Sequence, residues 1–200
     1  VVSINYRFVT QAIDAGIKPP VQWPLADAAR ALQFVRSRAR EWNLDKSRII
    51  ATGGTFDKHY DPVSGALTFG QSVLPAALAR ARIKTACTFE SLMMLDSLDM
   101  KDSHRQQILA ACSGSAQKQI VIVHGTDTMT DTASVLGQAR LACCIVLTGA
   151  MVPYDIVDSD ALFNLGFALA AAGLLPHGVY IAMNGTLFPW DDVRKNRQAG

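Results

Sequence analysis

The chain has 200 residues, half of them apolar, and a net charge of only +2: enough to bury a sizeable core in one domain or a domain plus an appendage, and too little charge to imply a nucleic-acid partner. No apolar run approaches the roughly 20 residues of a membrane span, and Val1-Val2-Ser3 does not open a signal peptide. A cytoplasmic protein with no membrane partner is expected, and a start lacking Met suggests a trimmed or fragmentary chain.

Residues 1 to 49 hold eight Lys/Arg against four Asp/Glu, and the remainder eleven against thirteen. This shift marks a boundary, with an appendage over 1–48 and the main domain over 49–200. Val1–Tyr6 reads as a strand. Leu25, Ala28, Ala29, Leu32, Val35, Ala39 and Trp42 follow helical spacing, with Arg30, Arg36, Arg38 and Arg40 forming a solvated face. In VVSINYR, WPLADAARALQFVR and WNLDKSRI this opening resembles an esterase-like piece of the α/β-hydrolase family. That family's next strand leads to a G-x-S-x-G nucleophile elbow. No such motif occurs here, so an esterase reading rests on residues 1–49 alone.

Ile49-Ile50-Ala51 then runs into Thr52-Gly53-Gly54-Thr55. Two glycines let the backbone turn sharply and approach a ligand, which makes the Thr55 hydroxyl the leading nucleophile candidate. His59-Tyr60-Asp61-Pro62 and Ser64-Gly65 read as a polar loop or lid, Leu74–Ala81 as a helix and Lys84–Met94 as a strand. Three more apolar runs stop at a glycine beside a hydroxyl or amide: Gln119–Val123 before His124-Gly125-Thr126-Asp127, Cys144–Leu147 before Thr148-Gly149, and Val179–Met183 before Asn184-Gly185-Thr186. Helices are expected over Asp102–Cys112, Asp131–Arg140 and Asp160–Ala172, the last two opening on an acid that suits the helix dipole.

Unbroken apolar runs suit strands covered on both faces, as in a parallel sheet flanked by helices. The expected fold is therefore a three-layer α/β domain, its mostly parallel sheet carrying a β-α appendage at the amino terminus. Ligands bind beyond the carboxyl ends of such strands, so the glycine loops converge on one site. Cys87, Cys112, Cys143 and Cys144 show neither CxxC nor metal-ligand spacing and read as reduced packing residues, with no metal or organic cofactor implied.

With TGGT, HGTDTM and LTGAM-x-P in this order, followed by Ser159-Asp160-Ala161, Asn164-Leu165 and Asp192-Val193-Arg194-Lys195, residues 50–200 resemble the amino-terminal domain of the bacterial-type L-asparaginase family. The resemblance implies hydrolysis of the side-chain amide of asparagine or a related small amide through a threonine acyl-enzyme. Thr55 matches the nucleophile, and Thr126, Asp127 and Lys195 match the network that activates it. A threonine hydroxyl needs such a base, and backbone amides at Gly54 and Gly125 would stabilise the oxyanion. Asp127 and Ser97 match substrate-binding positions, and Tyr60 is the candidate for the family's first-loop tyrosine, although it follows Thr55 sooner than expected. His124 reads as a satisfied turn histidine without a catalytic role.

Two departures from the family stand out. Leu98 replaces a glutamine, and the smaller carboxyl-terminal domain, which in larger members contributes substrate contacts across a subunit interface, is not expected within this span, so the chain is read as either a short, single-domain branch or a truncated one. The expected partner is thus a small amide, with a homo-oligomer left open. A non-catalytic binding domain of the same fold is the competing reading.

Overall fold

The computed structural model describes residues 13–16, 18 and 47–196. The chain divides into two units, Val1–Leu44 and Asp45–Gly200. The strand expected at Val1–Tyr6 and the helix expected from Leu25 to Trp42 lie outside the described residues. In the second unit the strands are β1 (Ser47–Gly53), β2 (Lys58–Asp61), β3 (Ala66–Phe69), β4 (Cys87–Leu95), β5 (Gln119–Val123), β6 (Cys144–Thr148), β7 (Gly178–Met183) and β8 (Thr186–Pro189). The helices are α1 (Leu74–Arg80), α2 (Asp102–Ser113), α3 (Met129–Gln138) and α4 (Ala161–Leu174).

Six strands form one sheet in the order β4-β1-β5-β6-β7-β8. The first five run parallel, as the apolar runs of β1, β5, β6 and β7 predict; β4, with Thr88, Glu90 and Ser91 inside it, is the partly exposed edge strand. Alternation along each strand splits the core into two layers. Ile49, Ala51, Val121, Val123 and Val146 face α1 and α4, where Leu74, Ala77, Leu165 and Ala168 are buried. Ile50, Ile120, Ile122, Ile145 and Leu147 face α2 and α3, where Ile108, Met129, Ala133 and Leu136 close the other side. The result is the expected three-layer arrangement. The cysteines are free thiols, and burial pushes those of Cys112 and Cys144 up to about 12.

From β1 the chain moves to β4 on one side, then crosses to β5 on the other and continues outward through β6 and β7. The sheet therefore changes direction between β1 and β5, the position at which open α/β sheets form a ligand crevice beyond their carboxyl ends. Both hydrogen-bonding edges of β1 are occupied, by β4 and β5, so a further strand cannot join the sheet beside it.

Two expectations need correction. The polar stretch after Thr55 is not an irregular loop: β2 and β3 form an antiparallel hairpin pairing Lys58 with Phe69 and Asp61 with Ala66. The strand expected from Lys84 begins at Cys87. As expected, α4 opens on Asp160, which holds the N-cap position, and its carboxylate accepts the amides of Met151 and Val152, each at 3.0 Å. The last strand, β8, runs antiparallel to β7, so the segment bearing Lys195 follows an antiparallel strand. Asn184 and Gly185 both take positive φ, 50° and 78°, and reverse the chain in a two-residue hairpin turn.

Candidate active site

Where β1 ends, Gly53 and Gly54 take φ values of 90° and 77°, a region L side chains avoid. Space excludes a side chain as well: a Cβ on Gly54 would lie 2.3 Å from both Cα and N of Gly125. This glycine-on-glycine approach locks the exit of β1 against the exit of β5, so the loop that begins with Thr55 and the loop carrying Thr126 and Asp127 meet at the switch point. The sheet supplies part of the hold. Gly54 N–H donates to the Leu95 carbonyl at 3.0 Å, which corrects the expectation that this amide is offered to a substrate.

The β5 loop is braced from below. His124 is fully buried; its Nδ1 is 2.7 Å from the Gly125 carbonyl and its Nε2 2.9 Å from the Thr132 hydroxyl. These partners assign the proton to Nδ1, which donates to Gly125, while Nε2 accepts from Thr132. Burial drives the imidazole pKa down to about 4, so His124 is neutral at pH 7 and acts as a rigid brace. Ser97 is 1% exposed and lies under Gly125, where an added Cβ would meet its Oγ at 2.5 Å. Its carbonyl accepts from the Thr128 hydroxyl at 2.7 Å. Ser97 thus supports the loop from within, and in this closed packing its hydroxyl does not face solvent.

The β6 loop is held by residues to which sequence reasoning gave no part in the site. Asn164 Nδ2 donates to the Gly149 carbonyl at 3.0 Å and to Asp160 at 2.8 Å, while its Oδ1 accepts the Asn184 amide at 2.9 Å. Together with the Asp160 bonds to Met151 and Val152, this ties the exits of β6 and β7 to the start of α4. The motif LTGAM-x-P and the later Asp160 and Asn164 are the two halves of that knot. Their spacing could be seen in the sequence; their mutual contact could not.

Beside these loops lies a cavity of about 270 Å³ lined by Thr126, Met151, Met183, Asn184, Arg194 and Lys195 among others. It is at the small end of ligand pockets and suits a molecule the size of one amino acid. Lys195 reaches it because β8 carries the chain back along β7 and the segment through Val193, packed on the core, returns to the carboxyl edge. The Met151 sulfur stands 3.6 Å from Thr126 Oγ1 and 3.8 Å from Lys195 Nζ. Thr126 and Lys195 are therefore brought to one cavity, with Thr55 and Asp127 joined to it through the Gly54–Gly125 approach rather than lining it.

Tyr60 is not brought there. It lies on β2 opposite Leu67, 58% exposed and outside the cavity lining; the hairpin starts too soon after Thr55 for this side chain to turn back. The hairpin is instead anchored by ionic contacts. Lys58 pairs with Asp96 at 2.5 Å, and the bond from Lys58 holds the Asp96 carboxyl below its usual range. His59 lies 2.6 Å from Asp155 and 3.0 Å from the Gln71 carbonyl. Asp57, fully buried, accepts from Ser72 Oγ and Val73 N–H, both at 2.8 Å. Burial raises its pKa, and its second oxygen has no partner among the described residues. No group of three His, Cys, Asp or Glu among the described residues could hold a metal ion.

The family model for the N-terminal part of asparaginase matches residues 47–199. The chain is 33% identical over 146 residues to a subunit of the glutamyl-tRNA(Gln) amidotransferase of Aeropyrum pernix, covering 68% of this chain and 34% of that protein. It is 31% identical over 166 residues to L-asparaginase 1 of Escherichia coli, covering 78% and 49%. Among solved structures, L-asparaginase I of Vibrio cholerae superposes with a TM-score of 0.69 at 26% identity, covering 76% of this chain and 48% of that one. The thermostable L-asparaginase of Thermococcus kodakarensis gives 0.65 at 28%, covering 72% and 46%. The chain thus spans less than half the length of these relatives. The α/β-hydrolase likeness of residues 1–49 gains no support from these comparisons, whereas the sheet order, the glycine loops and the match over residues 47–199 agree: the chain belongs to the asparaginase family, of which it carries the N-terminal domain.

Proposed function

We propose that the chain is an asparaginase-type amidohydrolase that cleaves the side-chain amide of asparagine or a related small amide and releases ammonia. The observation that supports this reading is the approach of Gly54 to Gly125 at the sheet's switch point, next to which Thr55 follows Gly54 and Thr126 and Asp127 follow Gly125. Thr55 Oγ attacks the amide carbon while its proton passes into the network of Thr126, Asp127 and Lys195. The amide N–H of Gly125 is the loop donor for the oxyanion, Gly54 being committed to the sheet. Collapse breaks the C–N bond, the leaving nitrogen takes the proton, and water then hydrolyses the Thr55 ester. No metal or organic cofactor is needed for this chemistry, and a cytoplasmic setting completes the reading.

Ammonia release from a panel of small amides, compared in the wild type and Thr55→Ala, tests it. Release by the wild type and loss in the variant is expected; no release from any amide would leave a binding domain of asparaginase fold. A second reading follows from the likeness to amidotransferase subunits. Amide hydrolysis is then the first half of a transfer reaction, and ammonia would be released efficiently only in the presence of a partner that accepts it.

A further inference from the structure

We propose that Met151 is a site of reversible oxidation by hydroperoxides, and that its sulfoxide shuts down the site by capturing Lys195 and Thr126. Six methionines occur in the chain. Met100 and Met129 are 6% and 2% exposed, Met93, Met94 and Met183 are half-buried, and Met151 alone is open, at 42%. A thioether's oxidation follows its access to the oxidant, so Met151 reacts first.

What distinguishes this methionine is its neighbours. Its sulfur faces the Thr126 hydroxyl and the Lys195 ammonium at 3.6 and 3.8 Å, distances at which a thioether, a weak acceptor, exerts little hold. The sulfur lone pair attacks one oxygen of the peroxide; the O–O bond breaks, an S–O bond forms, and the other oxygen leaves as water or alcohol. Sulfur loses two electrons and the peroxide gains them. The new oxygen stands one bond length beyond the sulfur and is a strong, polar acceptor. It comes within hydrogen-bond reach of both groups. The backbone cannot carry it away, because the Met151 and Val152 amides are fixed on the Asp160 carboxylate. Lys195 and Thr126 are then drawn to position 151 and away from proton transfer at Thr55. The loss of activity rests on the amidohydrolase reading; the oxidation and the capture of Lys195 do not.

The test is graded treatment of the full chain with hydrogen peroxide, following each methionine by peptide mass spectrometry, Lys195 by its rate of reductive methylation, and ammonia release. Met151 is expected to oxidise ahead of the other five, with Lys195 methylation slowing and turnover falling at least about tenfold in proportion to Met151 sulfoxide, since a proton-transfer group contributes about 10²–10⁴-fold. Methionine sulfoxide reductases restore both. In Met151→Leu, measured against its own untreated rate, peroxide changes neither. Oxidation of another methionine first, or full Met151 oxidation with unchanged Lys195 methylation, overturns the proposal. If untreated protein releases no ammonia, the amidohydrolase reading fails while the peptide and methylation measurements still decide this one.

Discussion

A methyl group at position 54 would fall 2.3 Å from the backbone of Gly125, at a φ of 77°. With a ψ of −176° this is a backbone region essentially reserved for glycine, costing an L residue about 1–3 kcal/mol, and forcing the two loops apart adds about 1–3 kcal/mol. Gly54→Ala is therefore expected to lower the urea midpoint markedly and to part Thr55 from Thr126, so that activity falls further than the folded fraction does. Lys195→Met tests a different property. Lys195 is a half-buried residue near the end of the chain and supports little of the core. Folding is expected to be nearly unchanged while turnover drops about 10²–10⁴-fold, the worth of a proton-transfer group; unchanged turnover would make Lys195 mere surface charge. Specificity, too, comes down to single side chains. Leu98 is 61% exposed and brings no hydrogen-bonding side chain, and an apolar contact rejects wrong substrates poorly. Comparable kcat/KM for asparagine and glutamine is expected, with Leu98→Gln shifting the ratio.

Among the elements, the β2–β3 hairpin is the one whose attachment depends on pH. Both nitrogens of His59 face acceptors, the Gln71 carbonyl and the Asp155 carboxylate, and only the doubly protonated ring satisfies both. The Gln71 bond, then Asp155 and the buried Asp57, raise the His59 pKa against the opposing effect of burial. A histidine whose pKa is raised on folding contributes stability that is complete below its unfolded value near 6.5 and is lost as pH rises through the folded value. Amide exchange in residues 58–69 is thus expected to quicken above that value by more than the intrinsic pH effect, and Asp155→Asn to move the onset to lower pH. Elements also differ in how well the sequence revealed them. Four of the parallel strands, β1, β5, β6 and β7, were legible because burial on both faces demands unbroken apolar runs, whereas the edge strand β4 carries Glu90 and Ser91 in its interior and its start was misplaced. β2, β3 and β8 were not legible, each being four residues long with mixed polarity, and Asn184-Gly185 reads as one more glycine loop unless its hairpin-turn chemistry is given weight. At the candidate site, the meeting of Thr126 and Lys195 at one cavity was legible from motif order, whereas the brace of His124 and the knot of Asp160 with Asn164 depend on contacts between elements that spacing does not reveal.

Across the domain, the direction change of the sheet between β1 and β5 is what turns separate glycine loops into one crevice. Because β1 is paired on both sides within its own unit, removing residues 1–44 is expected to leave a single cooperative urea transition; its loss would mean that the first unit is needed to complete the fold. The chain spans less than half the length of its named relatives, so whether the crevice performs chemistry within this span is the central question. It is answered by acid quench of the chain during incubation with asparagine, followed by mass spectrometry of the peptide carrying Thr55. An aspartyl ester on Thr55, absent in Thr55→Ala and cleared with the release of product, is the expected finding. Ammonia released with no adduct, or an adduct on Thr126 instead, would show that Thr55 is not the nucleophile.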